Sequence, residues 1–164
     1  MATQKEWAQV PRGERLARLA RTPDDLAAAI HGQSDAVLSR RPDGKNWAAK
    51  EVICHLRDLE ESFLIRIQQI MVVREPVFIT TNPDRWAEER QYLRNDAALA
   101  LAHFRTRRDE TLAFCRELPA DAWGRLGIHT DTRGRRTIDD FLAVMAAHDD
   151  NHFDQLRRAL EGRA

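Results

Sequence analysis

Cysteine is nearly absent from this chain. Only Cys54 and Cys115 occur, and neither belongs to a CxxC pair. That gives no support to thioredoxin-type redox chemistry or a zinc knuckle. Both cysteines lie in helical patterns among apolar neighbours, so they are expected as small buried hydrophobes rather than as a disulfide. Long apolar runs are missing as well. Nothing approaches the roughly 18–20 residues of a membrane span, and no charged start leads into an apolar stretch. A membrane role is excluded on that ground, and a cytoplasmic location is expected. Nor is there an excess of charge, since 26 basic residues face 26 acidic ones. The chain therefore has no overall field to draw in nucleic acid or an anionic membrane. The local runs Arg105, Arg107, Arg108 and Arg133, Arg135, Arg136 read as solvated faces and a loop.

Glycine is scarce, at seven residues in 164, while Ala, Leu, Arg, Glu and Asp are plentiful. This is the balance of a helical protein, and the length suits one well-buried core. Residues 1–21, with Trp7, read as an arm or a short helix. The domain proper is expected over residues 22–161, because Thr22-Pro23-Asp24-Asp25 offers a capping hydroxyl, a first-turn proline and two acids. Helix one is expected from Pro23 to Arg40. After the Pro42-Asp43-Gly44 turn, a second helix carries the inward stripe Ala48, Val52, His55, Leu59, Phe63, Ile67 and Ile70. A long crossover follows between Val73 and Arg94, with Trp86 and Tyr92 as anchors. A third helix runs from about Asn95 to Glu117; Arg108 and Thr111 interrupt its apolar stripe. Two extended pieces around the Asp131–Gly134 turn suggest a small hairpin. Thr137-Ile-Asp-Asp140 then resembles a capping box opening a last helix, whose inward face is Phe141, Met145, His148, His152, Leu156 and Ala159. The expected fold class is all-α: a four-helix bundle with a long crossover loop and a hairpin before the last helix.

Three histidines on these inward stripes carry the chemistry. His148 and His152 are four apart and share one helix face, so their ring nitrogens can converge. His55 sits about two turns into another helix. Buried imidazoles without partners are costly, and a metal ion would satisfy all three. Three imidazoles suit zinc, nickel, iron or copper rather than magnesium or calcium, which prefer oxygen. His31, beside the stripe of helix one, and His103, on a helix face with Arg107 and Glu110, are not assigned as ligands; His129, in the hairpin, can approach the site from above. The string HDDNH matches the zinc-protease pattern HExxH only in histidine spacing, since Asp149 is one methylene shorter than the glutamate base. A carboxylate-bridged di-iron site would need two Glu-x-x-His motifs, and Val52 and Met145 occupy the positions where the glutamates preceding His55 and His148 would fall.

Taken together, Trp47-x3-Glu51-Val52-x2-His55-Leu56-x-Asp58, Trp123 before the hairpin, Thr137-Ile-Asp-Asp140 and His148-Asp149-x2-His152-x2-Gln155-Leu156 resemble the DinB/YfiT-like superfamily over about residues 22–161. The resemblance implies a four-helix bundle, often a homodimer, with His55, His148 and His152 as ligands to a divalent metal. It also implies a small-molecule substrate. Several relatives are similar to thiol S-transferases using bacillithiol or mycothiol, or to mycothiol-dependent isomerases. Ala48 departs from the pattern, because relatives often carry a capping Ser or Thr there.

Three protein ligands leave an open position, where a water or a low-molecular-weight thiol can be activated. With an all-histidine site, the resemblance makes S-transfer to a small electrophile the leading expectation. A metal-dependent hydrolase and a non-enzymatic metal-stabilised module, using Trp7 and Trp86 as an interface, are the alternatives. Glu51, Asp58 and Asp149 are candidates to orient the ligand rings. Arg108 is a candidate to bind an anionic thiol cofactor, or else a residue whose stem covers the core while its head reaches water.

Overall fold

The computed structural model describes residues 2–131 and 133–164. Four long helices form the bundle: α2 (Arg12–Ile30), α4 (Ala49–Val72), α6 (Ala97–Arg116) and α7 (Ile138–Leu160). Helix α4 packs on α6 and α7, and α2 packs on the same two. The consecutive long helices α2 and α4 therefore lie diagonally. Short helices α1 (Gln4–Trp7), α3 (Asp35–Leu38) and α5 (Pro83–Glu89) line the outside. The expected hairpin is present as β2 (Leu126–His129) and β3 (Arg135–Thr137), paired antiparallel with Gly127 opposite Arg136. Of its expected turn, Thr132 lies outside the described residues. The crossover adds a strand, β1 (Val77–Phe78), which pairs in parallel with β2, Phe78 opposite His129.

The helix ends follow from local chemistry. Thr137 and Asp140 form the reciprocal cap that opens α7: Asp140 N–H donates to Thr137 Oγ1 at 3.0 Å and Thr137 N–H to Asp140 Oδ2 at 2.9 Å. Aspartate thus spans the box usually closed by glutamate. At α4 only half of the box exists, because Ala48 has no hydroxyl; its N–H donates to Glu51 Oε2 at 2.9 Å. Tyr92 anchors the crossover, fully buried, with its hydroxyl donating to Asp58 Oδ2 at 2.8 Å.

The first helix differs from expectation. It starts at Arg12, well before Pro23, and it ends at Ile30, while the stretch to Arg40 holds only α3, capped by Ser34. Pro23 is therefore internal to α2 and leaves the Leu19 carbonyl without its i→i−4 donor. Arg108 of α6 supplies that donor, Nη1 to Leu19 O at 2.9 Å. Thr22, instead of capping, donates to Asp149 Oδ2 at 2.6 Å. Ahead of α2, the N-terminal segment docks on α7 through Trp7 Nε1, which donates to Asp150 Oδ2 at 2.9 Å. Trp7 is thus committed to an intramolecular contact.

These bonds belong to one polar layer across the bundle. Arg108 (α6) also pairs with Glu60 (α4) at 2.8 Å and with Asp149 (α7) at 2.6 Å, while α2 contributes Thr22 and Leu19 O. Every long helix supplies a member. On one side lies an apolar cluster with Leu26, Val52, Leu56, Phe104 and Leu156; on the other lies one with Leu19, Phe63, Leu112, Phe141 and Met145. A charge network at this depth contributes little net stability, yet it penalises any sliding of one helix past another.

Candidate metal centre

Helices α4 and α7 bring His55, His148 and His152 together beside that polar layer. One ring nitrogen from each lies within 4.8 Å of the other two. The Nε2 atoms of His55 and His148 are 3.1 Å apart, and the His148 and His152 ring centroids are 4.2 Å apart. Two nitrogens bound tetrahedrally at about 2.0–2.1 Å stand roughly 3.3 Å from one another, close to the 3.1 Å His55–His148 spacing, which is also that of an Nε2-to-Nε2 hydrogen bond.

The electronic state of the rings fits the same use. Burial, with the neighbouring His152, pushes His55 down to about 3. Burial and the other two rings hold His148 well below the usual histidine range, and burial lowers His152. All three are neutral at pH 7, the form that ligates metals. His152 Nδ1–H donates to Gln155 Oε1 at 2.7 Å, which leaves the Nε2 lone pair free. This is the orienting bond of a ligand histidine. Trp47 closes the other side, 4.9 Å from His55 and stacked at 6.3 Å on His152; Phe63 meets His148 edge-on at 6.1 Å.

The other expected site residues are placed differently. Arg108 is 1% exposed. Its two Nη groups are spent on Glu60, Asp149 and Leu19 O and its Nε is buried, so neither an anionic cofactor nor water reaches it. It is therefore also not part of a solvated face. The carboxylates named as ring-orienting candidates have other employment. Glu51 caps α4 and accepts from Arg41 Nε at 2.7 Å. Asp58 accepts from Arg57, Arg90 and Tyr92 at 2.6–2.8 Å; burial pushes its carboxyl up, but these three bonds together bring it below its ordinary value. Asp149 belongs to the polar layer. His55 Nδ1 is buried without a partner among the described residues. Gln155, which performs the orienting task, is legible only as an amide three residues after a candidate ligand. Trp47 precedes the helix and shows no periodicity that would place it at the site.

His31 and His103 are exposed. His129 is outside the three-histidine cluster; its ring rests on Phe78 and Phe141, at 5.4 and 5.6 Å. Both thiols are buried and free, pushed up by burial to about 11 for Cys54 and about 12 for Cys115, which suits inert core residues.

The diagonal four-helix bundle brings together the donor set of a single-ion, three-histidine site. The DinB superfamily matches residues 18–156. The chain belongs to the DinB superfamily. Among solved structures it is similar to YfiT from Bacillus subtilis, with a TM-score of 0.86 and 19% identity over 100% of this chain and 92% of that one. YfiT is described as a probable metal-dependent hydrolase with an unusual four-helix bundle topology. No protein of curated function matches.

Proposed function

We propose that the protein is a metal-dependent enzyme in which His55, His148 and His152 hold one divalent transition ion, zinc or nickel before iron or manganese. Thiol-dependent S-transfer to small electrophiles is the leading reaction. The observation that carries the site is the convergence of three neutral imidazoles, with Gln155 fixing the tautomer of one of them. Such an ion supplies an open, acidic coordination position that lowers the pKa of the thiol or water bound there.

The chain's own residues do the rest. Burial keeps the imidazoles unprotonated, Gln155 holds His152 in its ligating tautomer, and Trp47 and Phe63 wall the cluster with apolar rings. The second reading, a hydrolase, is favoured by the fold shared with YfiT. A homodimer is part of the proposal, supported by Val72, Val77 and Ile79, which are 83%, 63% and 81% exposed.

The test is turnover of the zinc- or nickel-loaded protein on 1-chloro-2,4-dinitrobenzene with and without a low-molecular-weight thiol, beside hydrolysis of p-nitrophenyl acetate without thiol. Thiol-dependent turnover lost with chelator supports S-transfer. Metal-dependent ester hydrolysis alone supports the second reading, and neither activity with a loaded site removes the S-transfer reading for these substrate classes.

A further inference from the structure

Four arginines are buried among the described residues: Arg15, Arg18, Arg66 and Arg108. Three of them are paired. Arg15 grips Asp139, Arg18 binds Asp150 and Asp25, and Arg108 binds Glu60 and Asp149. Arg66, only 7% exposed, forms no ion pair with a carboxylate among the described residues; its one hydrogen bond runs from Nη2 to Ile79 O at 3.4 Å. Its Nε and Nη1 are not sealed from water, so the guanidinium stands at the surface of the core as a cation with donors open to an incoming anion.

His129 is unpartnered as well. It is 4% exposed, and neither ring nitrogen has a partner among the described residues. The two residues meet at one ring: Arg66 Cζ stands 5.7 Å from the Phe78 centroid and the His129 ring 5.4 Å from it. The position of Phe78 is built into the sheet. On the adjacent strand, Gly127 leaves the space the ring occupies, and a Cβ there would lie 2.2 Å from a Phe78 ring carbon. The nearby charged groups are already committed, since Arg133 pairs with Asp131, which also accepts from Thr80 at 2.5 Å.

We propose that Arg66 and His129 form an oxyanion subsite that takes the carboxylate or phosphate of a small-molecule ligand. The guanidinium provides charge and a fork of donors, and the neutral imidazole provides one N–H. Packed core rings lie between here and the histidine cluster: His129 to Phe141 at 5.6 Å, Phe141 to Phe63 at 6.2 Å, and Phe63 to His148 at 6.1 Å. The ligand class is thus a small molecule that bears a carboxylate or phosphate. The anion subsite does not rest on the proposed metal-dependent reaction.

Calorimetric titration of the full chain, metal-loaded and chelator-treated, tests this with 3-phenylpropionate and phenyl phosphate as anionic probes and 3-phenylpropanamide as the neutral control. At least one anion is expected to bind in both metal states, at least tenfold tighter than the amide, and the preferred anion identifies carboxylate or phosphate as the natural group. Arg66→Gln should weaken it at least tenfold in both states, and Arg66→Lys should retain part of the affinity. The ring nitrogen resonances of His129 should shift on binding. If Arg66→Gln does not fold, Arg66→Lys, His129→Gln and the His129 resonances decide the question. Binding seen only with metal and unchanged by Arg66 variants, equal binding of amide and anion, or no binding at millimolar concentration would overturn the subsite. Anion binding that depends on Arg66 in a protein that takes up no metal would leave the subsite standing and remove the metal reading.

Discussion

Replacing Arg108 with methionine, which keeps the stem and removes the charge, should be the most damaging single change away from the histidines. Arg108 is 1% exposed and bonds to Glu60, Asp149 and the Leu19 carbonyl, which has no helical donor because Pro23 lacks an N–H. Removing one partner from a buried charge network costs about 3–5 kcal/mol, since the remaining carboxylates stay buried and uncompensated. An unsatisfied carbonyl adds about 1–3 kcal/mol, though the two terms overlap. A loss of roughly 4–5 kcal/mol is expected, a large share of the about 5–15 kcal/mol that stabilises a typical domain. Pro23→Ala restores the missing N–H. In the wild type this should change little, because Leu19 O already has a donor; beside Arg108→Met it should recover about 1 kcal/mol. Urea unfolding followed by circular dichroism, with chelator present so that metal linkage does not intrude, measures all four corners of the cycle. Equal effects of Pro23→Ala in both backgrounds, or a cost of Arg108→Met below about 1 kcal/mol, would refute the assignment of Arg108 as cross-helix donor.

Further outcomes follow from the site and the sheet. Gln155→Leu removes the acceptor that orients His152 and should weaken metal affinity about 10–100-fold with little change in unfolding midpoint of the chelated protein; competition with a chromophoric chelator reads it. Gly127→Ala drives a methyl into the Phe78 ring and should cost about 1–3 kcal/mol, measured by thermal unfolding, and should also weaken anion binding at Arg66. Burial, with Arg133 and Arg66 nearby, holds His129 at about 4, below its ordinary 6.5. The unfolded chain therefore binds this proton first, so the stabilising effect of a neutral His129 is complete above about pH 6.5 and is lost as pH falls toward 4. His129→Gln should make stability less pH-dependent in that window; an unchanged slope in denaturant titrations would contradict the burial of a neutral ring.

Much of this architecture could be read from residue order. The stripes of α4 and α7, the Thr137–Asp140 cap, the hairpin and the three histidines all depend on contacts within a few residues or on helical spacing, and the structure places them as read. The start of α2 did not follow, because Thr22-Pro23 has the letters of a helix N-terminus. The donor that makes Pro23 tolerable inside a helix lies 85 positions away, in Arg108. The same distance problem misdirected Glu51, Asp58 and Asp149. A stripe tells which way a carboxylate points; its partner, whether Arg41, Tyr92 or Arg108, belongs to another element. Arg66 escaped notice because an arginine at the edge of an apolar stripe is usually solvated, and only its missing counter-ion sets it apart.

The most direct test of the metal centre is metal content by mass spectrometry combined with X-ray absorption, on wild type beside His148→Ala. The site described here predicts close to one transition ion per chain with three imidazole nitrogens at about 2.0–2.1 Å, lost in the variant while the helical signal is kept. A wild type that takes up neither zinc nor nickel, or a variant that binds them equally well, would contradict it.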